Sequence, residues 1–226
     1  MFRRIAIVLL ATACILSSPT LGEESSGPAV RALLLVPGGP VIKLHPMLGA
    51  SIGKAVQVGA RGLSEPFRPG GREFLLAVPD SKEESGYRAV GKVALPLKGK
   101  DFVILLEPAK DIFKIHVVDA RESRFDADCV LFFNATETIL GAALGDNKVM
   151  IKPRTAIFAK PPNKGEKSFY QVTFYQPDNT KARPFFNTRW PHREGSRCYV
   201  FLYRAQSGRI TYQAVDEGLA PLVSAQ

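Results

Sequence analysis

The sequence predicts an all-β fold, organised as two tandem antiparallel β-sandwiches of immunoglobulin-like size. Three observations carry this prediction. Short apolar segments alternate with Gly, Pro, Asn and Asp every eight to twelve residues or so, as in β-sandwiches and barrels. No segment keeps apolar residues at i, i+3, i+4 and i+7 over three helical turns, so little helix is expected. The pattern of the first half also recurs in the second half.

The chain begins with a pattern typical of a secretory signal peptide. Arg3 and Arg4 precede twelve uncharged, mostly apolar residues at 5–16, and small or polar residues follow up to Gly22. A membrane-spanning helix needs about 20 apolar residues, so this segment is too short to cross a bilayer. We therefore predict a signal peptide over residues 1–22, no membrane span, and a secreted or periplasmic protein.

The apolar segments define the strands that we expect. In the first half they are residues 30–36, 41–44, 54–58, 73–78, 87–95, 102–107 and 113–119. In the second half they are residues 129–134, 139–143, 148–151, 156–160, 169–176, 185–189, 199–204 and 210–215.

A shift of 97 residues superimposes segments near both ends of the two halves. It places residues 32–36 on 129–133 and residues 102–106 on 199–203. Chance similarity between apolar strands is the alternative explanation, but the shared shift favours a duplicated unit. We therefore predict two β-sandwich domains, at residues 27–122 and 125–220.

The three cysteines raise two questions about modification. Cys14 follows a segment that loosely resembles the box before a lipid-modified cysteine, but Ala11 stands where Leu is usual, so no lipid anchor is expected. Cys129 and Cys198 each begin an apolar segment, and an exported protein can oxidise them. They could form a disulfide if their strands are neighbours, since the Cα atoms must approach within about 7 Å. Two separate buried thiols are the favoured alternative.

Positive charge is in excess but diffuse. The chain has 30 Lys and Arg residues against 21 Asp and Glu, a formal net charge of +9, and loss of the signal peptide would leave about +7 spread over both halves. A nucleic-acid surface would concentrate this charge on one face or segment, so no nucleic-acid partner is expected. Diffuse positive charge favours anionic polymers of the envelope.

Residues that could carry catalysis are few and scattered. The three histidines lie far apart, and no HExxH, CxxC or nucleophile-elbow motif occurs. We therefore expect no metal, no cofactor and no catalytic residue. The alternative is a hydrolase whose site is assembled at the domain junction from His192, Asp216 and Glu217.

The second half is richer in aromatic residues than a core requires. Side chains alternate along a strand, so Tyr199, Phe201 and Tyr203 share one face. A face of this kind could stack on sugar rings or bind an extended peptide, and the alternative is that it packs against the first domain. The candidate ligand-binding residues are Trp190, Arg189, Tyr199, Phe201, Tyr203, Phe169 and Tyr175.

The segment Asn-Thr-Arg-Trp-Pro at 187–191, followed by residues 197–203 and the turn at 208–210, resembles the C-terminal part of uncharacterised secreted bacterial β-rich proteins. The resemblance covers about the last forty residues. It implies export and a β-sandwich, and it implies no activity. Together these features predict a noncatalytic binding or structural module of the bacterial envelope, with a glycan, another envelope polymer or a protein as its partner.

Overall fold

The computed structural model describes residues 27–120, 125–163, 168–176 and 182–218. This part of the chain contains sixteen β-strands and no helix, so the predicted all-β class is confirmed. It follows that the described residues include no helix able to cross a membrane. The predicted signal peptide, its cleavage site and Cys14 lie outside the described residues.

The strands divide into two sets of eight. The first set is β1 (Ala29–Leu34), β2 (Ile42–Leu48), β3 (Ser51–Ile52), β4 (Val56–Val58), β5 (Glu73–Pro79), β6 (Tyr87–Ala94), β7 (Asp101–Ala109) and β8 (Ile112–Asp119). The second set is β9 (Val130–Asn134), β10 (Leu140–Leu144), β11 (Asn147–Ile151), β12 (Ala156–Ala159), β13 (Phe169–Gln176), β14 (Arg183–Pro191), β15 (Ser196–Arg204) and β16 (Ile210–Gly218).

The described strands form four sheets that pack as layers. Two inner sheets, with strand orders β1-β7-β8 and β12-β9-β15-β16, share a central apolar core. The outer sheet β3-β2-β5-β6, with β4 beside β2, covers the first inner sheet, and the outer sheet β11-β10-β13-β14 covers the second. We call the two cores beneath the outer sheets the first-half core and the second-half core. The predicted β-sandwich packing is therefore present in each half.

The strands β1, β7, β9 and β15 are buried on both faces. In β7, Val103 and Leu105 point into the central core, whereas Phe102, Ile104 and Leu106 point into the first-half core. The other three strands are divided in the same way between the central core and the core of their own half. Continuous apolar segments are characteristic of strands that are covered on both sides. These four strands supply the segments that the 97-residue shift superimposes.

Two strand pairs depart from the predicted antiparallel arrangement. β1 runs parallel to β7, and β9 runs parallel to β15. A parallel pair needs a long crossover connection, because the chain must return to the same end of the sheet. In the first half the crossover runs through strands of the outer sheet and their turns, and in the second half it also includes β12 of the inner sheet.

The pairing order of the second eight strands repeats that of the first eight. The inner orders β1-β7-β8 and β9-β15-β16 correspond, as do the outer orders β3-β2-β5-β6 and β11-β10-β13-β14. The strand β12 is an exception, since it pairs with the inner strand β9 whereas β4 pairs with the outer strand β2. Duplication and the two-domain division stay predictions.

A single shift of 97 residues does not hold through the strand pairing. Val30 lies opposite Phe102, and Leu131 lies opposite Tyr199. If Phe102 matches Tyr199, as the shift requires, the pairing matches Val30 with Leu131, which is a shift of 101 residues. Both shifts are odd numbers, so each places side chains of one face on side chains of the other. Phe102 points into the first-half core, whereas Tyr199 points into the central core. The 97-residue register is therefore wrong, although the pairing order repeats.

The structure also lengthens two predicted strands. β2 continues to Leu48, beyond the predicted end at residue 44, and Pro46 lies within it opposite Leu76 of β5. The Pro46 carbonyl accepts a hydrogen bond from the Gly53 N–H at 2.8 Å. β14 extends past the predicted 185–189 at both ends, with a proline in each extension. β14 is an edge strand, where proline is a weak stop signal because an edge has N–H positions that need no partner.

A hydrogen-bonded cluster of charged residues links the two halves beside the central core. Arg31 of β1 donates to Glu217 of β16 at 2.5 Å and to the Tyr199 hydroxyl at 3.0 Å. Arg197 and the Tyr199 hydroxyl both donate to the second Glu217 oxygen, each at 2.8 Å. Burial alone raises the pKa of Glu217, but the hydrogen bonds from Arg197 and Tyr199 and the charge of Arg31 outweigh it and lower that pKa. The carboxylate is therefore ionised and holds both guanidinium groups.

A buried histidine forms a second link between the halves. His116 of β8 is 5% exposed, and its Nε2 lies 2.7 Å from Glu107 Oε2. Arg154, in the turn between β11 and β12, places Nη1 2.7 Å from His116 Nδ1 and also binds Glu137. Because the arginine can only donate, Nδ1 must accept, and the neutral imidazole carries its proton on Nε2. Burial, with the charges of Arg154 and Lys114, lowers the pKa of His116 despite the opposing effect of Glu107.

We expect Glu217→Ala to lower the free energy of unfolding by about 2 kcal/mol, because it leaves Arg31 and Arg197 partly buried without a carboxylate. The loss is below that of a fully buried pair, since water still reaches the cluster. Urea denaturation measures the effect. Glu73→Ala is the matched control, because it removes the exposed Glu73–Lys92 pair, 3.2 Å apart, and should change stability little. Equal losses in the two variants would contradict the structural role of the cluster.

Stability should fall as the pH is lowered from 7 towards 5.5. The unfolded chain binds a proton on His116 near pH 6.5, whereas the folded protein resists protonation because the pKa is lowered. The neutral histidine thus contributes stability above the unfolded pKa, and this contribution is lost as the pH falls, by at most about 1.4 kcal/mol per pH unit for one proton. Urea titrations across this range measure the slope. His116→Gln should flatten it, and an unchanged slope in that variant would refute the assignment.

Candidate functional site

The structure buries the aromatic row predicted to bind a ligand. Tyr199 and Phe201 are 0% exposed and Tyr203 is 2% exposed, all in the central core. The first inner sheet covers this face of β15, which the sequence did not reveal. The assignment of these three residues to an exposed ligand surface is therefore wrong, and the alternative of packing against the first half holds for them.

Three other predicted residues lie on the solvent-facing side of the sheet β11-β10-β13-β14, which we call the outward face. Phe169 and Tyr175 alternate along β13 with residues that point into the second-half core, and Arg189 lies opposite Gln171 on β14. Phe169 is 56% exposed, Arg189 is exposed and Tyr175 is half-buried. These three side chains are available to a ligand.

Trp190 points from β14 in the opposite direction, towards the second-half core. Its ring lies 6.1 Å from Phe174 and 6.0 Å from Tyr212 of β16, and it hydrogen-bonds the Tyr212 side chain. Phe186 also contacts Tyr212, with ring centroids 4.6 Å apart. Aromatic side chains therefore join β14 to β16 at the edge of the second sandwich.

The two sandwiches close this edge differently. In the first half β6 approaches β8 closely, and a Cβ on Gly91 would lie 3.0 Å from Ile115 Cδ1. The corresponding strands of the second half, β14 and β16, make no comparable backbone approach over their described residues. The second sandwich is thus more open, and a cleft enters it at one end.

This cleft, which we call the end cleft, has a volume of about 500 Å³. It lies where β9, β13 and β15 begin and where β12, β14 and β16 end. Its size falls in the range of small-ligand sites. It is lined by residues 127–130, 160–163, 170, 190–194, 196, 198, 214 and 216.

Aromatic rings form one wall of the end cleft. The His192 ring lies 4.9 Å from the Tyr170 ring, and Trp190 lies 6.4 Å from Tyr170. The His192 N–H donates to the Ser168 carbonyl at 3.0 Å, which continues the pairing of β13 and β14 beyond Pro191. This backbone bond holds the histidine beside the two aromatic residues.

Charged groups also line the end cleft. Arg193 pairs with Asp216 at 2.9 Å, and Lys160 pairs with Asp126 at 3.2 Å. Asp128, which has a positive φ of 61°, accepts a hydrogen bond from the Gly195 N–H at 3.1 Å. The cleft therefore offers positively charged hydrogen-bond donors and negatively charged acceptors beside an aromatic surface.

The Cys198 thiol lies in the end cleft but is not activated. Burial raises its pKa, and the charge of Asp216 together with a hydrogen bond to that carboxylate raises it further, against a smaller opposing effect of Arg193. The thiolate is the reactive form of cysteine, so this protonated thiol is a poor nucleophile.

The three residues of the hydrolase alternative are not brought together. His192 and Asp216 line the end cleft, but Glu217 follows Asp216 on β16 and points to the opposite face, where it binds Arg31 and Arg197. A site built from all three is therefore wrong. Within the described ranges, no group of three His, Cys, Asp or Glu residues could hold a metal ion.

The possible disulfide does not form, although its strands are neighbours, and the favoured alternative of two separate thiols holds. The Cys198 N–H donates to the Cys129 carbonyl at 3.0 Å across the parallel pair of β9 and β15. The Cys129 side chain lies in the central core, whereas Cys198 packs against the second-half core. Both thiols are free because they point to opposite faces of the sheet.

No protein-family model matches the chain, and no curated protein sequence matches it. The resemblance of the C-terminal segment to secreted β-rich proteins stays a prediction.

Sequence reasoning missed most of the end cleft. Tyr170 lies on the face of β13 opposite the candidates Phe169 and Tyr175. Arg193, Lys160 and Asp128 lie in turns whose positions depend on the fold. Two signals were present: the dense group of aromatic and charged residues at 189–193, at the end of β14, and Asp216 directly after the buried Val215. Neither signal showed that three strand ends and three strand beginnings meet there.

We expect Cys129 and Cys198 to remain free under oxidising conditions. Alkylation of the unfolded, unreduced protein followed by peptide mass mapping should find both cysteines labelled, because the side chains lie on opposite faces of the sheet. Melting temperatures measured with and without a reductant should be equal. A peptide that joins the two cysteines would contradict the structure.

Proposed function

We propose that the protein is an exported, noncatalytic binding module of the bacterial envelope, and that the end cleft binds a glycan. The observation that carries this proposal is the composition of the cleft. Trp190 and its aromatic neighbours line the same space of about 500 Å³ as the Arg193–Asp216 pair.

Sugar rings match such a surface. Their apolar C–H faces pack on aromatic rings, and their hydroxyl groups both donate and accept hydrogen bonds. The Asp216 carboxylate accepts only, and the Arg193 guanidinium donates only, so together they complement both roles of a hydroxyl pair. The Arg193 side chain is 58% exposed and can turn towards a ligand without loss of buried packing.

The chemistry of the cleft supports binding rather than catalysis. Burial raises the pKa of both cysteines that line the cleft, and Asp216 raises that of Cys198 further. The Asp216 and Asp128 carboxylates already bind Arg193 and the Gly195 N–H. General acid–base catalysis needs a group whose pKa is tuned towards the working pH, whereas burial raises the pKa of Tyr170 further from neutral pH.

The location in the envelope is supported by the sequence. The segment at 1–22 has the pattern of an export signal, and the net positive charge of the remaining chain favours contact with anionic polymers. Envelope glycans that carry carboxylates are both located in that compartment and anionic.

Trp190 is the chain's only tryptophan, so its fluorescence reports directly on the end cleft. We expect peptide-free glycan fragments, released from bacterial cell-wall sacculi, to shift or quench the emission with a saturable dependence on concentration. Arg193→Ala should weaken this binding about tenfold, in line with loss of a hydrogen bond to a charged group. Ile112→Ala, at a 55% exposed site of the first half, is the control and should bind as the wild type does.

The same titration separates the alternatives. If cell-wall peptides free of glycan saturate the change in Trp190 emission and the glycan fragments cause no change, the ligand is a peptide and not a glycan. Shortening of the fragments during incubation, measured by mass spectrometry, would refute the noncatalytic role. No change in emission with either ligand would refute binding in the end cleft.

A further inference from the structure

The geometry points to a longer ligand than the end cleft alone can hold: we propose that a linear, carboxylate-bearing glycan leaves the cleft and runs along the outward face of β13 and β14. This inference rests on the proposed function. It adds that the ligand is a polymer, that it is anionic, and that Phe169, Arg189 and Tyr175 are its further contacts.

The cleft and the outward face meet at Pro191. This residue lines the end cleft, and it lies directly opposite Phe169 in the pairing of β13 and β14. Residues that face each other across two strands project to the same side of the sheet. A chain that leaves the cleft over Pro191 therefore reaches the exposed Phe169 ring next.

The outward face presents apolar surface at both ends of β13. Phe169 is 56% exposed at the first end, and Met150, 48% exposed, lies beside Tyr175 at the other, with the Tyr175 hydroxyl 3.8 Å from the Met150 sulfur. Phe169 and Tyr175 are six residues apart, so about 20 Å of strand separates them at roughly 3.3 Å per residue. This length accommodates several consecutive sugar units.

Gly141 allows the Tyr175 ring to lie against the sheet. The two residues are opposite each other on β10 and β13, and a Cβ on Gly141 would stand 2.2 Å from two atoms of the ring. Any other residue at this position would push the ring away from the sheet. The half-buried ring therefore has one side on the backbone and the other available for stacking.

Polar side chains occupy the space between these two ends. Gln171 and Asn187 are exposed, lie near each other on β13 and β14, and form a hydrogen bond through their amide groups. Amide groups donate and accept, so they suit hydroxyl groups along a glycan. Thr173, opposite Asn187, adds a hydroxyl.

The charge of the outward face selects an anionic chain. Lys148 and Arg189 are exposed on this face, and the described strand positions that share it include no carboxylate. The outer sheet of the first half differs, because its Lys92 is paired with Glu73 at 3.2 Å. Uncompensated positive charge attracts carboxylates on a ligand and makes its binding sensitive to salt.

Chain length and charge of the ligand test this inference. The probes are peptide-free cell-wall glycan fragments of two to ten sugars, whose muramic residues carry carboxylates, and neutral oligomers of N-acetylglucosamine of equal length. We expect the affinity for the carboxylated series, measured by calorimetry and by Trp190 emission, to rise about tenfold or more with length before levelling off. Raising the salt concentration should remove most of the advantage over the neutral series.

Two variants locate the effect. Phe169→Ala combined with Arg189→Ala should reduce the affinity for long fragments to that for the disaccharide, while leaving disaccharide binding unchanged. Both side chains are exposed, so the fold should tolerate their loss. Leu75→Ala combined with Lys92→Ala, on the outer sheet of the first half, is the matched control.

The outcomes separate this inference from the proposed function. If Trp190 emission responds equally to all lengths, or if the double variant binds long fragments as the control does, the outward face is not part of the site and binding in the end cleft stands. If neutral and carboxylated oligomers bind alike at low salt, the anionic specificity is refuted. If no fragment of any length changes Trp190 emission or produces heat, both proposals fail.

Discussion

Burial of the central core is the constraint on which the rest of the structure depends. The inner sheet of each half is covered on one side by its own outer sheet and on the other by the inner sheet of the opposite half. The four strands β1, β7, β9 and β15 consequently have no face left for solvent. Any surface that the protein offers to a ligand must come from the outer sheets, the edge strands or the ends of the layers.

The polar links between the halves follow from this packing. Arg31 reaches Glu217 and His116 reaches Arg154 from opposite halves, at the borders of a layer whose interior is apolar. Charged groups in such positions lose part of their hydration, and they are retained because each finds a partner of the right kind. They also fix the relative position of the two inner sheets, which apolar packing alone specifies less sharply.

The sequence could predict the fold class because turn residues and strand periodicity are local features. It could also predict the second strand set, since strands that are buried on both faces repeat a recognisable apolar pattern. It could not predict which face of β15 was hidden, because the row of Tyr199, Phe201 and Tyr203 is as consistent with an interface between sheets as with an exposed surface. The parallel pairs and the direction of the Cys129 and Cys198 side chains were equally inaccessible, since both depend on which strands become neighbours.

The candidate site shows the same limit at smaller scale. Phe169, Tyr175 and Arg189 were found because alternation along a strand is readable, whereas Trp190 was grouped with them although it points the other way. The end cleft exists because the second sandwich leaves its β14–β16 edge more open than the first leaves its β6–β8 edge, where Gly91 permits close approach. The two halves thus share a pairing order and differ at the edge that carries the site.

The central core has a consequence for the origin of the chain. If the two halves descend from one unit, that unit ended in an uncovered apolar sheet of the kind now formed by β1, β7 and β8. Contacts across the core join β1 to β16 and β8 to β9. If β9 corresponds to β1 and β16 to β8, these contacts are reciprocal, as they are on the two subunits of a two-fold homodimer. The ancestor would then have been an obligate dimer, and fusion of two copies would have converted its subunit interface into an intramolecular layer. Fusion would also have let the copies diverge, so that one kept a closed edge while the other acquired a cleft.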